Sequence, residues 1–538
     1  MPEVFAPEWI QSQGETINGI DLLGLRLPVQ LISGSLLNGI TTASPRIRFL
    51  SIRSWIIKAF SESGLPNDKA TFNEFAGRVE AALAIGVLLF DRSPLYIPGN
   101  EKGLGLIDDG IDPIPVEKLL DQNAVYAYTG PSSGLFISFN TDNGVAGLTQ
   151  ERGEPLAVEF EKLISGTRFY EILKVDPNFK FLQRDVLAEL GEAINVEEIP
   201  DPERDLLIDA LMPLSLREKS MQPLRQEVNR LGVYTLLLDI AKLLNKKPEE
   251  SDFFDSALQK KSTFNETLIP TLDGYLCYRI RDLLSVLHEA AMGIVCSELE
   301  IYEGSVSSNV IISALLGDHI NKALMKFSLV SDQEPFAAMR YRDLCSRVEA
   351  KIGEKNLVRG VYRWKSDLDE SAVINTVLKN QMASIGLLPV AWILCCLRVG
   401  EYDLKSFPDL EVLSRQGAAR IGLKQVVLKQ HDLWMEEDPT LDQVIAWQIQ
   451  RTVDQHLRIA WSRLFNDVNK DGALLTSDGG LWVQRGKRFS GSRTSSRLGF
   501  AINWASQLKL IDKDGLTEFG ESILQRSHET LAVYGGRA

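Results

Sequence analysis

From about residue 166 to 465, apolar side chains recur every three to four residues in one segment after another. Leu206 to Leu244, Tyr275 to Leu299, Val310 to Leu329, Phe336 to Ile352 and Ala372 to Leu397 all carry this spacing. A period of 3.6 lines one face of an α-helix, whereas a half-buried strand needs alternation. The strongest case is Leu441 to Phe465, where Val444, Ile445, Ile449, Val453, His456, Leu457, Ala460, Trp461 and Leu464 form one broad stripe. Breaks near 200, 248, 304, 332, 353 and 402 are short, and none resembles a flexible linker. The expectation is a mainly α protein with a multi-helix body. A chain of 538 residues exceeds one simple core, and we divide it into an N-terminal helical and winged-helix-like domain (1–165), a helical body (166–435) and a C-terminal winged-helix-like domain (436–538).

The C-terminal domain is read from the order of its signals. Gly479-Gly480-Leu-Trp-Val reads as a strand and is followed by a basic loop with Arg485, Lys487 and Arg488. A Ser/Arg-rich helix start follows, with Arg493, Arg497, Leu498, Ala501, Ile502, Ala505 and Leu508 on the helix. Leu510-Ile511, a tight Asp512-Lys513-Asp514-Gly515 turn and Leu516-Thr517 then open a last helix. Gly147-Leu148-Thr149 repeats the Gly515-Leu516-Thr517 string after another small β element, a hint of a second such unit near the N-terminus.

Nearer the N-terminus, Ser44-Pro45 has the residues of a helix cap and first turn, and the helix predicted to follow it to Phe60 is apolar almost all round. Thr71-x-x-Glu74 forms a capping box for the next helix. Residues 92–113 are rich in Pro, Gly and Asp and read as loop. Ala124 to Tyr128 and Leu135 to Phe139 read as strands joined by a Gly130-Pro-Ser-Ser-Gly134 hairpin turn. Asn380 to Leu397 is uncharged, but Pro389 interrupts it, and it falls short of the ~20 apolar residues of a membrane span. It reads as a buried core helix, with no membrane partner.

Charge directs the search for function. The chain carries a net charge of −14, yet Gly479 to Ile511 holds six bases and no acid. Clustered Arg and Lys beside a helix start suit phosphate contacts, so Arg485, Lys487, Arg488, Arg493 and Arg497 are the candidate nucleic-acid-binding residues. The same strip could instead meet an acidic protein face. Leu22 to Ser61 is a second acid-free stretch, and Arg46, Arg48 and Arg53 are a possible basic site on the apolar helix; the plainer alternative is pairing with acids inside the fold.

Catalytic and cofactor patterns are incomplete. Asp467, Asn469, Asp471 and Asp478 follow the spacing of an EF-hand calcium loop, with Gly472 at the turn. Asp in place of the final Glu, and a strand-like exit, fit an Asx-rich turn instead. Glu349-x-Lys351 and Asp403-x-Lys405 have the closing spacing of a metal-dependent nuclease site without a matching upstream acid. Five histidines and five cysteines are scattered with no paired ligand spacing, so no metal or cofactor is expected and the thiols read as reduced core residues of a cytoplasmic protein.

The string Gly39-Ile-Thr-x-x-Ser-x-Arg46-x-Arg48-Phe-x-Ser51-x-x-x-Trp55 resembles the start of bacterial proteins found among anti-phage defence genes. The resemblance covers some forty residues and implies a multi-component defence setting with no assigned catalytic role. The expected function is a non-enzymatic subunit that binds nucleic acid and other protein subunits. A metal-dependent nuclease assembled by the fold is the alternative, and a transcription regulator the third.

Overall fold

The computed structural model describes residues 21–92, 99–116, 119, 128–217, 224–259, 264–332, 334–352, 367–399, 421–465, 473–484 and 489–534. The protein is mainly helical, with four small antiparallel sheets among the described residues. The chain divides into two units. Unit one holds 1–33, 257–263 and 272–496; unit two holds 34–256, 264–271 and 497–538. The range 436–538 is thus distributed over both.

In unit two, helices Phe49–Glu62, Lys69–Phe90, Gly153–Ile164 and Arg184–Ile194 enclose a core built on Trp55, Phe75, Phe160 and Phe169. The Lys69 and Arg184 helices cross at Gly86 and Gly191. A Cβ on Gly191 would stand 1.9 Å from the Gly86 carbonyl oxygen, so the two backbones touch where side chains would hold them apart. The C-terminal part of this unit has helix Leu498–Gln507, the hairpin Ile511–Asp512 with Gly515–Leu516, and helix Glu518–Tyr534. Gly515 supplies the positive φ of the turn, and Thr517 Oγ1 accepts the Gly520 N–H at 2.8 Å to cap the last helix.

Several local expectations are corrected here. The Ser44-Pro45 helix start fails because those carbonyls serve the Leu498 helix. Trp504 Nε1 donates to Ser44 O, and Asn503 and Gln507 both donate to Pro45 O, each at 2.9 Å. The helix therefore begins only at Phe49. The next helix starts before Thr71, at Lys69, because Asp68 accepts the Ala70 and Thr71 N–H groups and takes the cap. The 92–113 loop contains helix Asn100–Asp108. Gly130 to Gly134 lies in helix Thr129–Gly134, not in a hairpin turn; the hairpin pairs Ser138–Asn140 with Ala146–Leu148. Gly134 packs so closely on Gly39 that a Cβ would reach its Cα at 2.6 Å, a tertiary contact no local pattern announces. Residues 124–127, the greater part of the first expected strand, lie outside the described residues.

Unit one is organised on helix Ile269–Leu299 from Leu272 onward and on helix Leu441–Phe465, whose bounds match the sequence stripe. Ala383–Val399 is a buried helix containing Pro389, and among the described residues no helix is long and apolar enough to cross a membrane. Val310 to Leu329 is not one helix but two, Ser308–Leu315 and Asp318–Met325, broken at Leu316-Gly317. Strand Leu481–Gln484 lies between Leu475–Asp478 and a two-residue strand, Val306–Ser307, that precedes the helix pair. All five cysteines are free and buried.

Candidate nucleic-acid interface

Of the five-residue basic set, only Arg493 and Arg497 fall among the described residues. Arg493 is not on a helix. Residues 489–496 run extended along the Ile269–Leu299 helix, in the opposite direction, and all the contacts described here lie within unit one. Phe489 O comes against Gly293, where a Cβ would stand 2.4 Å away, and Gly491 fits against the backbone of Val286 and Ala290. The Ser492 N–H donates to Glu289 Oε2 at 3.3 Å, the Thr494 N–H donates to Asp282 Oδ1 at 3.1 Å, and Tyr278 Oη donates to Thr494 O. Arg493 Nε closes the series on Asp282 Oδ2 at 3.1 Å. Buried carboxylates thus take N–H groups of this segment, and a helix there would have to turn them inward onto its own ladder.

Asp282 and Glu289 sit seven residues apart on one helix face, both fully buried. Arg26 grips Glu289 with both prongs, Nε to Oε1 at 2.6 Å and Nη2 to Oε2 at 2.7 Å. Burial nevertheless pushes the Glu289 carboxyl up to about 7, with Arg26 pulling the other way. Arg26, itself partly buried, ends above its ordinary value because Glu289 bonds it. Burial dominates at the carboxyl because the Glu289 side chain is wholly covered while Arg26 stays 16% exposed. Asp282 is also raised, by burial first, against Arg493.

Arg497 has a positive φ and stands just before helix Leu498–Gln507, its guanidinium beside Gly34 within unit two. Arg485, Lys487 and Arg488 lie outside the described residues, between strand Leu481–Gln484 and the buried Phe489.

The second basic group is drawn into the core of unit two. Arg46 Nη2 donates to Glu197, and its own N–H donates to Tyr128 Oη at 2.9 Å. Arg48 is buried and spends its guanidinium on three carbonyls and one carboxylate: Ile194, Asn195 and Glu198, with Glu203 Oε2 at 3.0 Å. It thereby closes the C-terminal end of the Arg184–Ile194 helix, whose last carbonyls have no partner within the helix. Arg53 is buried too, and desolvation lowers it to about 10. Every nitrogen of the Arg48 guanidinium thus donates inside the fold.

Asp478 of the calcium-loop pattern ends strand Leu475–Asp478, while Asp467, Asn469 and Asp471 fall outside the described residues. Glu349 lies on helix Tyr341–Ile352; Asp403 and Lys405 are outside the described residues. Among the described residues no group of three or more His, Cys, Asp and Glu side chains is placed to hold a metal ion. His456 is a bonded core histidine: the Leu474 N–H donates to Nε2 at 2.9 Å, which leaves Nδ1 to donate to Leu22 O at 3.1 Å. His288 accepts the Trp392 indole N–H on Nε2, and burial holds it at about 3, hence neutral.

Sequence reasoning missed Lys322 and Lys326, which are exposed along the Asp318–Met325 helix and at its end. The signal was present in Leu316-Gly317-Asp318, a break followed by a capping residue type, inside what reads as one apolar stripe. Comparison with known proteins finds no matching family model, no similar curated protein and no similar solved structure.

Proposed function

We propose that this chain is a non-enzymatic subunit that binds nucleic acid and partner proteins within a multi-component bacterial defence system, using a winged-helix-like arrangement in unit one. The order of elements around the three-stranded sheet carries the reading. A long helix (Ile269–Leu299) leads to strand Val306–Ser307, then to two short helices joined by Leu316-Gly317, and later to the hairpin Leu475–Asp478 with Leu481–Gln484. The second hairpin strand lies between the other two. An order of helix, strand, two short helices and a hairpin whose last strand is central supports the winged-helix-like reading, with a long helical insertion before the hairpin. In helix–turn–helix binding the second helix of the pair enters the major groove, and that helix and its C-terminal end expose Lys322 and Lys326.

The basic Arg485, Lys487 and Arg488 follow the wing directly in sequence, within the four residues before the anchored Phe489 to Ser496 segment. They are bases in a region with no acid of its own, which suits phosphate contact. The defence setting rests on the Gly39 to Trp55 resemblance alone. Fluorescence anisotropy with duplex DNA and duplex RNA across a salt series tests the nucleic-acid half. Arg485→Glu with Lys487→Glu and Arg488→Glu is expected to lower the slope of log K against log salt by about 3, one for each phosphate no longer neutralised. Lys322→Glu with Lys326→Glu is expected to weaken binding further. A salt-independent interaction, or an unchanged slope in the triple variant, overturns the assignment.

A further inference from the structure

Unit two carries an open groove of about 990 Å³ walled by helices Gly153–Ile164, Asp201–Leu211 and Glu518–Tyr534. Its apolar lining is Val158, 41% exposed, with half-buried Leu206 and Phe519 and the buried Leu214 and Ile523. Around these stand five carboxylates (Glu151, Glu154, Glu159, Asp205 and Asp209) and one base, Arg526. Two of the acids have internal work. Asp209 accepts both the Ser215 N–H and the Ser215 hydroxyl at 2.8 Å, fixing the turn that closes one end, and Glu159 pairs with Lys162. Glu151, Glu154 and Asp205 bond none of the described residues through their side chains and face solvent. Phe519 is held in place by Arg204, whose guanidinium lies 4.6 Å from its ring centroid and is tied to Asp201 at 2.8 Å.

We infer that this groove is the docking surface for a cationic, amphipathic helical segment of a partner protein. Three features choose that occupant. The acidic rim repels phosphate, so the groove is separate from any nucleic-acid contact, and it attracts Lys and Arg side chains. The apolar floor asks for aliphatic or aromatic anchors, which a free polyamine or simple cation would leave unfilled. The walls are helices whose backbone groups are bonded within each helix, so they offer no edge to an added strand; a helix presenting anchors at i, i+3, i+4 and i+7 is the recurring alternative.

The inference stands independently of the nucleic-acid reading, and its test contains no nucleic acid. A fluorescein-labelled peptide of about 16 residues, long enough for a stable amphipathic helix, carries Leu on one face and Lys on the other. Its affinity for the full chain is measured by anisotropy beside two controls: the same composition scrambled to abolish the apolar face, and Glu in place of every Lys. The Leu/Lys peptide is expected to bind at least about tenfold tighter than either control and to weaken with salt. Glu154→Lys with Asp205→Lys, both exposed, and separately Val158→Asp, are each expected to weaken it about tenfold while unfolding at the wild-type temperature. Equal binding of the scrambled peptide, or unchanged affinity in correctly folded variants, overturns the inference. So does a dimer in sedimentation that these substitutions dissolve, since a second copy of the chain would then be the occupant.

Discussion

Replacing Arg48 with methionine separates an internal role for this arginine from a ligand-binding one. Methionine retains much of the apolar stem and removes the guanidinium, leaving the Glu203 carboxylate and the carbonyls of Ile194, Asn195 and Glu198 without their donor. Both members of the ion pair are 1% exposed, so water does not replace it cheaply. Removing one partner of a buried pair costs about 3–5 kcal/mol, which for a unit of this size is a fall in Tm of roughly 10 °C. Protonation of Glu203 limits the loss. Its carboxyl already sits above the ordinary value because burial outweighs Arg48, and without Arg48 it rises further. A carboxyl whose folded pKa exceeds its unfolded value contributes stability at low pH that disappears as pH rises through the folded value. The variant therefore falls further below wild type at about pH 8 than at about pH 5. Tryptophan fluorescence melts at the two pH values, in phosphate-free buffer without nucleic acid, read this directly. Arg48→Met with Glu203→Gln should recover part of the loss. Wild-type melting of Arg48→Met, or a larger loss at the acidic pH, would refute the structural role and return Arg48 to the candidate binding residues.

Two further outcomes concern packing and charge. Gly191→Ala forces a Cβ into the Gly86 carbonyl and is expected to destabilise unit two by about 3 kcal/mol or more, seen as a lower melting temperature; a neutral result would mean the two helices cross elsewhere. Burial moves Glu289 from 4.5 up to about 7, so its contribution to stability declines as pH rises between those values. Glu289→Gln should flatten that part of a urea-midpoint profile, and an undiminished slope would place the titrating group elsewhere.

The helical body was legible because each helix advertises itself within a window of a few turns. Leu441 to Phe465 carries enough apolar positions for both its ends to be read correctly, and the Asp512 to Gly515 turn is encoded by the residue types its geometry demands. Helix starts were less legible. Asp68 outcompeted Thr71 for the cap of the Lys69 helix, and Ser44 and Pro45 were diverted by side chains far along the chain.

The candidate site was read less well because charge in a sequence does not state its partner. Arg48 and Arg493 look alike as members of basic runs, yet one closes a helix end in the core and the other sits on the buried Asp282. Burial raises the cost of an unpaired charge, so any arginine near a buried acid or an open helix end is drawn inward.

The sequence by itself determined that the chain is mainly α, where the Leu441–Phe465 helix runs, and that both ends carry acid-free basic stretches. By contrast, Leu206 to Leu244 falls on two helices, Asp201–Leu211 and Arg225–Leu244, and Ala372 to Leu397 falls on Glu370–Lys379 and Ala383–Val399. Tertiary structure decided the rest. It paired two-residue Val306–Ser307 with Leu481–Gln484, and laid residues 489–496 along a helix instead of starting one. Helix periodicity is local, repeating every few residues, and survives in any window. Short strands and buried ion pairs draw their stability from groups distant in the chain, so the residues themselves hold no period that could announce them.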